Sequence, residues 1–333
     1  MLIRDLPDDG VVRVPGAYRI PIDRYHSQEV CPGPSISSGG LRTIFHQSPA
    51  HFFATSEINP DRIEEPPNDD LTFGRAAHAL LLGEEVFDDV FIMEDDDAPR
   101  RPTKAQILAK AEGRVSEAAR RSFDYWRTFE ILAEGRTLVR AEWMDNIRGM
   151  SRSLAAHPLV GPLFDGEAEV SLIWQDEQTG VWLKARPDML PRMGDVKADL
   201  KTTTDVSLRH IHRQTEQLGY DMQAALGCIG MEKVQGLQVT SDVLVFIEKK
   251  APWDVTALEI PAEALHWAKL KLRRALNTFA DCLKTGVWPG KVQGIPQFTT
   301  PEWRVEEYAR GQAAGDFPRD FDAPFGNIVG DSA

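Results

Sequence analysis

From position 167 to position 204 the chain reads as consecutive strands. EAEVSLIWQ, GVWLKARPDML and DVKADLKTT alternate or concentrate β-branched and aromatic residues, with QDEQTG as a hairpin turn between the first two. A sheet built from such strands has apolar faces that need cover, and the rest of the chain supplies helices for it. Leu41, Ile44 and Phe45 recur at helical spacing after Ser35, Ser37 and Ser38, which reads as a serine-capped helix stopping at Ser48-Pro49. FGRAAHALLLGEEVF places Phe73, Ala76, Ala77, Leu80 and Leu81 on one helical face, with Gly83 as its stop. VFIM reads as a short strand, and residues 103–157 as two or three helices broken near Gly113 and Gly135. A helix over 207–232, a buried strand in TSDVLVFIEK and a long amphipathic helix in PAEALHWAKLKLRRALNTFADCLKTG complete the pattern.

This order predicts an α/β protein, with a central mixed β-sheet flanked by helices and an N-terminal helical cover. Residues 1–35 read as an irregular segment. Residues 36–309 read as one domain, mainly helical over 36–160 and strand-rich with a C-terminal helix over 161–309. Residues 310–333 lack helical or strand periodicity and read as a mobile tail. Trp126, Trp143, Trp174, Trp182 and Trp267 read as core residues rather than base-stacking platforms.

The strand block is also where the chemistry concentrates. Arg186-Pro187-Asp188 is followed, after ten intervening residues, by Asp199-Leu200-Lys201, and pairing of 181–190 with 195–201 brings the two aspartates near each other. Alternation puts Asp199 and Lys201 on one face. Two carboxylates held together attract a hard divalent cation, Mg²⁺ or Mn²⁺ rather than zinc. A lysine beside such a cation can orient a water and stabilise charge on a phosphate, which is what metal-assisted phosphodiester hydrolysis needs. Glu169 offers a third carboxylate from the EAEVSLIW strand, with Glu167 an alternative two residues earlier on the same face. Arg186 is either a structural partner for Asp188 or Glu169, or a phosphate clamp.

Composition narrows the class without deciding it. Apolar residues make up 42% and charged residues 27% of 333, which excludes collagen-like, disulfide-scaffold and wholly disordered chains. The net charge of −13 argues at first sight against a polyanionic partner. It is local, however: residues 61–100 hold 13 acidic and 3 basic side chains, whereas 100–140 hold 10 basic and 5 acidic. The second stretch is either a surface for a nucleic-acid backbone or a solvated mixed face. Cys31, Cys228 and Cys282 are scattered, without the spacing of a zinc site or an iron–sulfur cluster. No apolar run resembles a signal peptide or a membrane span, so a cytoplasmic protein with no membrane partner is expected.

RPDML…DVKADLKTT resembles the PD-(D/E)xK nuclease signature, and further elements narrow the likeness. FGRAAH resembles the Gly-x-x-x-His element, and Tyr220-Asp221-Met222-Gln223 the YxxQ element, of the branch holding RecB, lambda exonuclease-like and exodeoxyribonuclease VIII (RecE-type) proteins. PSISSGGLRTIFHQSPAHFFATSEINP and VFIEKKAPW…GVWPG are similar to the phage and prophage RecE-type group in particular. The likeness runs from about residue 17 to 305.

The resemblance implies a restriction-endonuclease-like core with Asp188 and Asp199 on the metal, assisted by the Leu200 carbonyl. It implies Lys201 as the catalytic lysine, His78 approaching the metal or a phosphate, and Glu169 completing the site. Tyr220 and Gln223 would contact DNA or hold the lysine, with Arg186 and Arg75 also on the DNA. The expected activity is Mg²⁺-dependent exonucleolytic hydrolysis of linear double-stranded DNA, with Mn²⁺ as a substitute metal and no iron–sulfur cluster. Polarity would be 5′→3′, leaving 3′ overhangs for recombination by single-strand annealing. Duplex ends, a single-strand annealing protein and a homo-oligomeric ring (trimer or tetramer) are the implied partners. Two alternatives stay open on this fold: a non-catalytic module binding DNA ends or a recombination partner, and a structure-specific endonuclease.

Overall fold

The strand block builds parts of two sheets. In the computed structural model, which describes residues 2–64, 68–82, 87–95, 97–191, 196–239, 241–317 and 320–321, the chain divides into two compact units, Met1–Lys291 and Val292–Ala333. Strands of the first unit are β1 (Ile3–Asp5), β2 (Gly16–Arg19), β3 (Ser35–Ser37), β4 (Phe91–Met93), β5 (Thr137–Val139), β6 (Gly166–Ala168), β7 (Ser171–Gln175), β8 (Trp182–Ala185), β9 (Met189–Pro191), β10 (Val196–Thr203), β11 (Ser241–Glu248) and β12 (Val255–Ile260). One sheet runs β1-β2-β7-β8-β3, the other β12-β11-β10-β9-β6, and β4 pairs with β5. Both large sheets mix parallel and antiparallel neighbours.

The two sheets share a bent ribbon. Segment 166–175 runs antiparallel to 182–191, pairing Ala168 with Met189 in one sheet and Leu172 with Ala185 in the other. The bend falls at Glu169, whose φ of 55° lies in the left-handed region. Its amide donates to the Asp188 carbonyl at 3.2 Å. EAEVSLIWQ is therefore not one strand, and Glu169 stands outside the alternation that would place it in line with Glu167. GVWLKARPDML breaks opposite it, where Pro187 offers no amide to a ladder.

The β10–β11 pair is parallel, in register from Val196↔Ser241 to Thr203↔Glu248, and a parallel pair needs a crossover. The helices Leu208–Leu218 and Tyr220–Gln235 provide it. The single helix expected over 207–232 is thus two. Gly219 separates them at a φ of 65°, and a Cβ there would lie 2.8 Å from His46 Nε2. β11 is buried on both sides. Leu244 and Phe246 join a core with Leu172, Trp174, Met222 and Leu276, while Val245 and Ile247 join Leu200, Phe73, Trp143 and Met150. The second core carries the helix Asp69–Leu81, begun where the Asn68 side chain accepts the Asp70 amide at 2.9 Å.

Elsewhere the structure departs from the sequence reading. The first 35 residues are not irregular throughout: β1, β2 and the start of β3 enter a sheet, because β2 finds a partner in β7 and β3 in β8. β5 and β12 are strands the periodicity did not suggest, the former only three residues long. Trp267 is 59% exposed, unlike the buried Trp126, Trp143, Trp174 and Trp182. In the second unit a helix, Glu302–Ala314, runs across position 309, and Tyr308 packs edge-on against Phe317. Gly83 and residues 318–319 and 322–333 of the expected tail lie outside the described residues. Among the described residues no helix is long and apolar enough to cross a membrane.

The hairpin turn after β7 is fastened to the helix Ala262–Thr285 through buried Asp176. Arg273 donates to both its oxygens at 2.9 and 2.7 Å, and the Thr179 amide and hydroxyl add bonds of 3.0 and 2.8 Å. The Arg273 bonds, against the opposing effect of burial and with help from Thr179, hold the Asp176 carboxyl down at about 2. A carboxyl lowered in the fold stabilises it above its unfolded value and loses that contribution as pH falls through the folded one. Asp176→Asn should therefore cost on the order of 2 kcal/mol at neutral pH. In urea unfolding across a pH series, the wild-type advantage should fade between about pH 4 and pH 2.

Candidate active site

β10 sets the register of the site. Leu200 turns to the core with Val245, so Lys197, Asp199 and Lys201 share the opposite face. Buried charges are costly unless paired, and each of these is paired. Asp199, fully buried, accepts the Asp188 amide on Oδ1 at 3.2 Å and an ion pair from Lys197 on Oδ2. Asp188 returns the bond: its Oδ2 accepts the Leu200 amide at 2.6 Å. Each aspartate of the hairpin thus holds a backbone amide of the other's segment. Single-bridge pairing of Ala198 with Met189 places them so.

Around Asp188 the other expected residues converge. His78, from the helix Asp69–Leu81, brings Nδ1 to 3.4 Å from Asp188 Oδ1. Ligand atoms of His78, Glu169 and Asp188 all lie within 4.8 Å of one another, close enough to serve one cation. Burial opposes charge on both His78 and Asp188. Their mutual attraction prevails, raising the His78 imidazole above its ordinary value and holding Asp188 well below the usual carboxylate range, with Lys201 and the Leu200 amide contributing to the latter. Lys201 Nζ is 4.0 Å from Asp188 Oδ2, donates to the Leu200 carbonyl at 3.3 Å and faces the Tyr220 ring at 5.3 Å.

Arg186 and Glu169 form a pair at the ribbon's bend, with Nε to Oε2 at 2.5 Å, and Arg186 also donates to the Ile20 carbonyl at 2.7 Å. Glu167 instead pairs with Arg19 at 2.8 Å and is not in the His78 group. Asp199 is adjacent to that group through the Asp188 amide rather than part of it. Arg75 is exposed, with its guanidinium 5.9 Å from the Phe91 ring. Gln223 follows Tyr220 on the same helix, partly buried, and among the described residues makes no hydrogen bond to the group.

Four further ionisable residues complete the surroundings, none of them singled out in the sequence. Arg42 stands over Tyr220, 6.0 Å from the ring centre, so that ring lies near two cationic side chains, Arg42 and Lys201. Lys184, buried beside the Tyr25 ring, donates to the Ser27 carbonyl at 3.0 Å, and burial pushes its ammonium down to about 8. Burial first, then the positive charges of Lys184, Arg186 and Arg75, lower His26, and Arg186 shares the Tyr25 ring with Lys184. Lys197 is the fourth. Its place two residues before Asp199 on an alternating strand was the signal for it.

A family model described as a PDDEXK-like domain of unknown function (DUF3799) matches residues 37–297. The chain belongs to this family. Its fold is the PD-(D/E)xK nuclease fold that the RPDML and DLK segments suggested. No curated protein matches the chain. Solved structures similar to this PDDEXK-like chain include a putative exonuclease from Eubacterium rectale, 14% identical, covering 86% of this chain and 98% of that one with a TM-score of 0.49. Another is a phage related exonuclease from Haemophilus somnus 129PT, 12% identical, covering 57% and 92% with a TM-score of 0.27. Membership rests on the family match.

The geometry separates the two glutamates experimentally. Asp188→Asn keeps an acceptor for the Leu200 amide yet removes the charge, and should abolish saturable Mn²⁺ binding in calorimetry. Glu167→Gln should leave the Mn²⁺ affinity within about twofold of wild type, whereas Glu169→Gln should weaken it by at least about tenfold.

Proposed function

We propose that this PDDEXK-like chain is a divalent-metal-dependent exonuclease that hydrolyses phosphodiester bonds of linear double-stranded DNA. The observation that carries the reading is the convergence of His78, Glu169 and Asp188 beside buried Lys201. The donor set fits a hard cation: two carboxylates with one imidazole accommodate Mg²⁺ and, through the nitrogen, Mn²⁺. In this proposal those three residues hold the metal, with Asp199 and the Leu200 carbonyl as the further oxygen donors that the sequence resemblance implies. A bound divalent cation would supply Lewis-acid stabilisation of charge on the phosphate.

The chain's own residues account for the rest of the chemistry. Lys201, held by the Leu200 carbonyl and the Tyr220 face, presents an ammonium to the scissile phosphate and orients the attacking water. Arg186, fixed by Glu169 and the Ile20 carbonyl, keeps a positive charge at the bend of the ribbon, where a phosphate would arrive. Tyr220 and Gln223 keep the lysine face shaped for a nucleic-acid backbone. Mg²⁺ as the working metal, 5′→3′ polarity and 3′ overhangs for strand-annealing recombination belong to the same proposal. The annealing partner and a homo-oligomeric ring rest on the sequence resemblance alone.

Linear duplex labelled separately at its 5′ and 3′ ends tests this directly. With Mg²⁺ the 5′ label should be released first as short products, chelation should stop release, and covalently closed circles should be spared. Lys201→Ala and Asp188→Asn should each lower the rate by about 10²–10⁴-fold. Equal attack on closed circles would sink the exonuclease reading, and intact activity in both variants would sink the site.

A further inference from the structure

The face of β10 that carries Asp199 and Lys201 also carries Lys197, one of the largest fully buried side chains among the described residues. Three elements are shaped around its ammonium. Asp199 on its own strand and Asp242, its register partner on β11, both pair with it, the latter at 2.9 Å. The helix Tyr220–Gln235 crosses above it at Gly227, where an added Cβ would lie 2.7 Å from Lys197 Cε. No larger residue fits there without moving the lysine stem.

A buried ion cluster of this kind is a poor source of stability, since apolar side chains of similar volume commonly do as well. What an ammonium adds is direction. With Asp199 Oδ2 engaged by Lys197, Oδ1 faces the Asp188 amide, and the Asp188 carboxylate then takes the Leu200 amide and meets His78. We propose that Lys197 is a positioning residue of the site, acting through Asp199 to hold Asp188 and the cation-binding oxygens in one orientation. It touches neither cation nor DNA. The proposal rests on the metal-dependent reading above and deepens it by extending the site one layer inward, to Lys197. Ligand supports of this kind commonly govern metal affinity by 10–100-fold.

Mn²⁺ titrated by calorimetry into the full chain, without DNA, tests it. Lys197→Met combined with Asp242→Asn removes one cation and one anion together, so the charge around Asp199 is conserved while its tether is lost. Mn²⁺ affinity should fall by about 10–100-fold, and kcat should drop with the KM for DNA little changed. Asp242→Asn alone leaves Lys197 on Asp199 and should stay within about threefold of wild type. An unchanged affinity in the folded double variant overturns the proposal. If circular dichroism shows that the double variant does not fold, Gly227→Ala decides. It alters no charge and favours the helix, but it displaces the lysine stem, so affinity should fall by about tenfold; wild-type affinity there overturns the proposal. Failure of the nuclease reading looks different: wild type binds Mn²⁺, and the variants shift its affinity, yet labelled duplex is not cleaved.

Discussion

Two reciprocal hydrogen bonds, from the Leu200 amide to the Asp188 carboxylate and from the Asp188 amide to the Asp199 carboxylate, hold the site together. Each aspartate is satisfied by the other's strand, so neither carboxylate is stranded in the core. Through them the position of β9 on β10 is set, and with it the approach of the Arg186-Pro187-Asp188 corner to the helix that carries His78. Lys201 follows automatically, because alternation along β10 leaves it on the Asp199 face with the Tyr220 ring above it. The cationic side chains around this corner are likewise anchored by short-range partners: Arg186 by Glu169, Lys184 by the Ser27 carbonyl.

Much of this was legible because it depends on local pattern. The period-two alternation of DVKADLKTT and the spacing from Asp188 to Asp199 are written in single segments, and they place the aspartates and Lys201 correctly with respect to each other. What stayed hidden depended on partners distant in sequence. The N-terminal strands become strands because β7 and β8 offer them edges. The division of the 207–232 helix comes from one left-handed glycine wedged against His46. Asp242 acquires meaning only through its register with Lys197. Glu167 and Glu169 could not be told apart by alternation, because alternation fails at Glu169, the one that lies beside His78 and Asp188.

The acidic balance of the chain also loses its apparent force at the level of individual side chains. Within the acidic stretch, Asp69 pairs with Arg140 at 2.5 Å and Asp70 with Lys249 at 2.8 Å, at the start of the helix that carries His78. Acids at a helix N-terminus are favourable in their own right. The basic stretch that follows is partly self-neutralised in turn, with Arg121 on Glu117 and Arg127 on Asp124. Neither run of charge therefore describes the field at the site, which is set by the buried groups around Asp188.

Glu169 joins backbone and chemistry in a single dihedral. A non-glycine residue held at a φ of 55° costs folding energy that glycine would not. That same conformation is what swings the carboxylate out of the ladder and towards His78 and Asp188. Stability and site geometry consequently pull in opposite directions at this position: the residue that suits the bend best has no carboxylate to offer. A glycine at 169 would relax the bend and at the same stroke remove one of the three groups that meet beside His78.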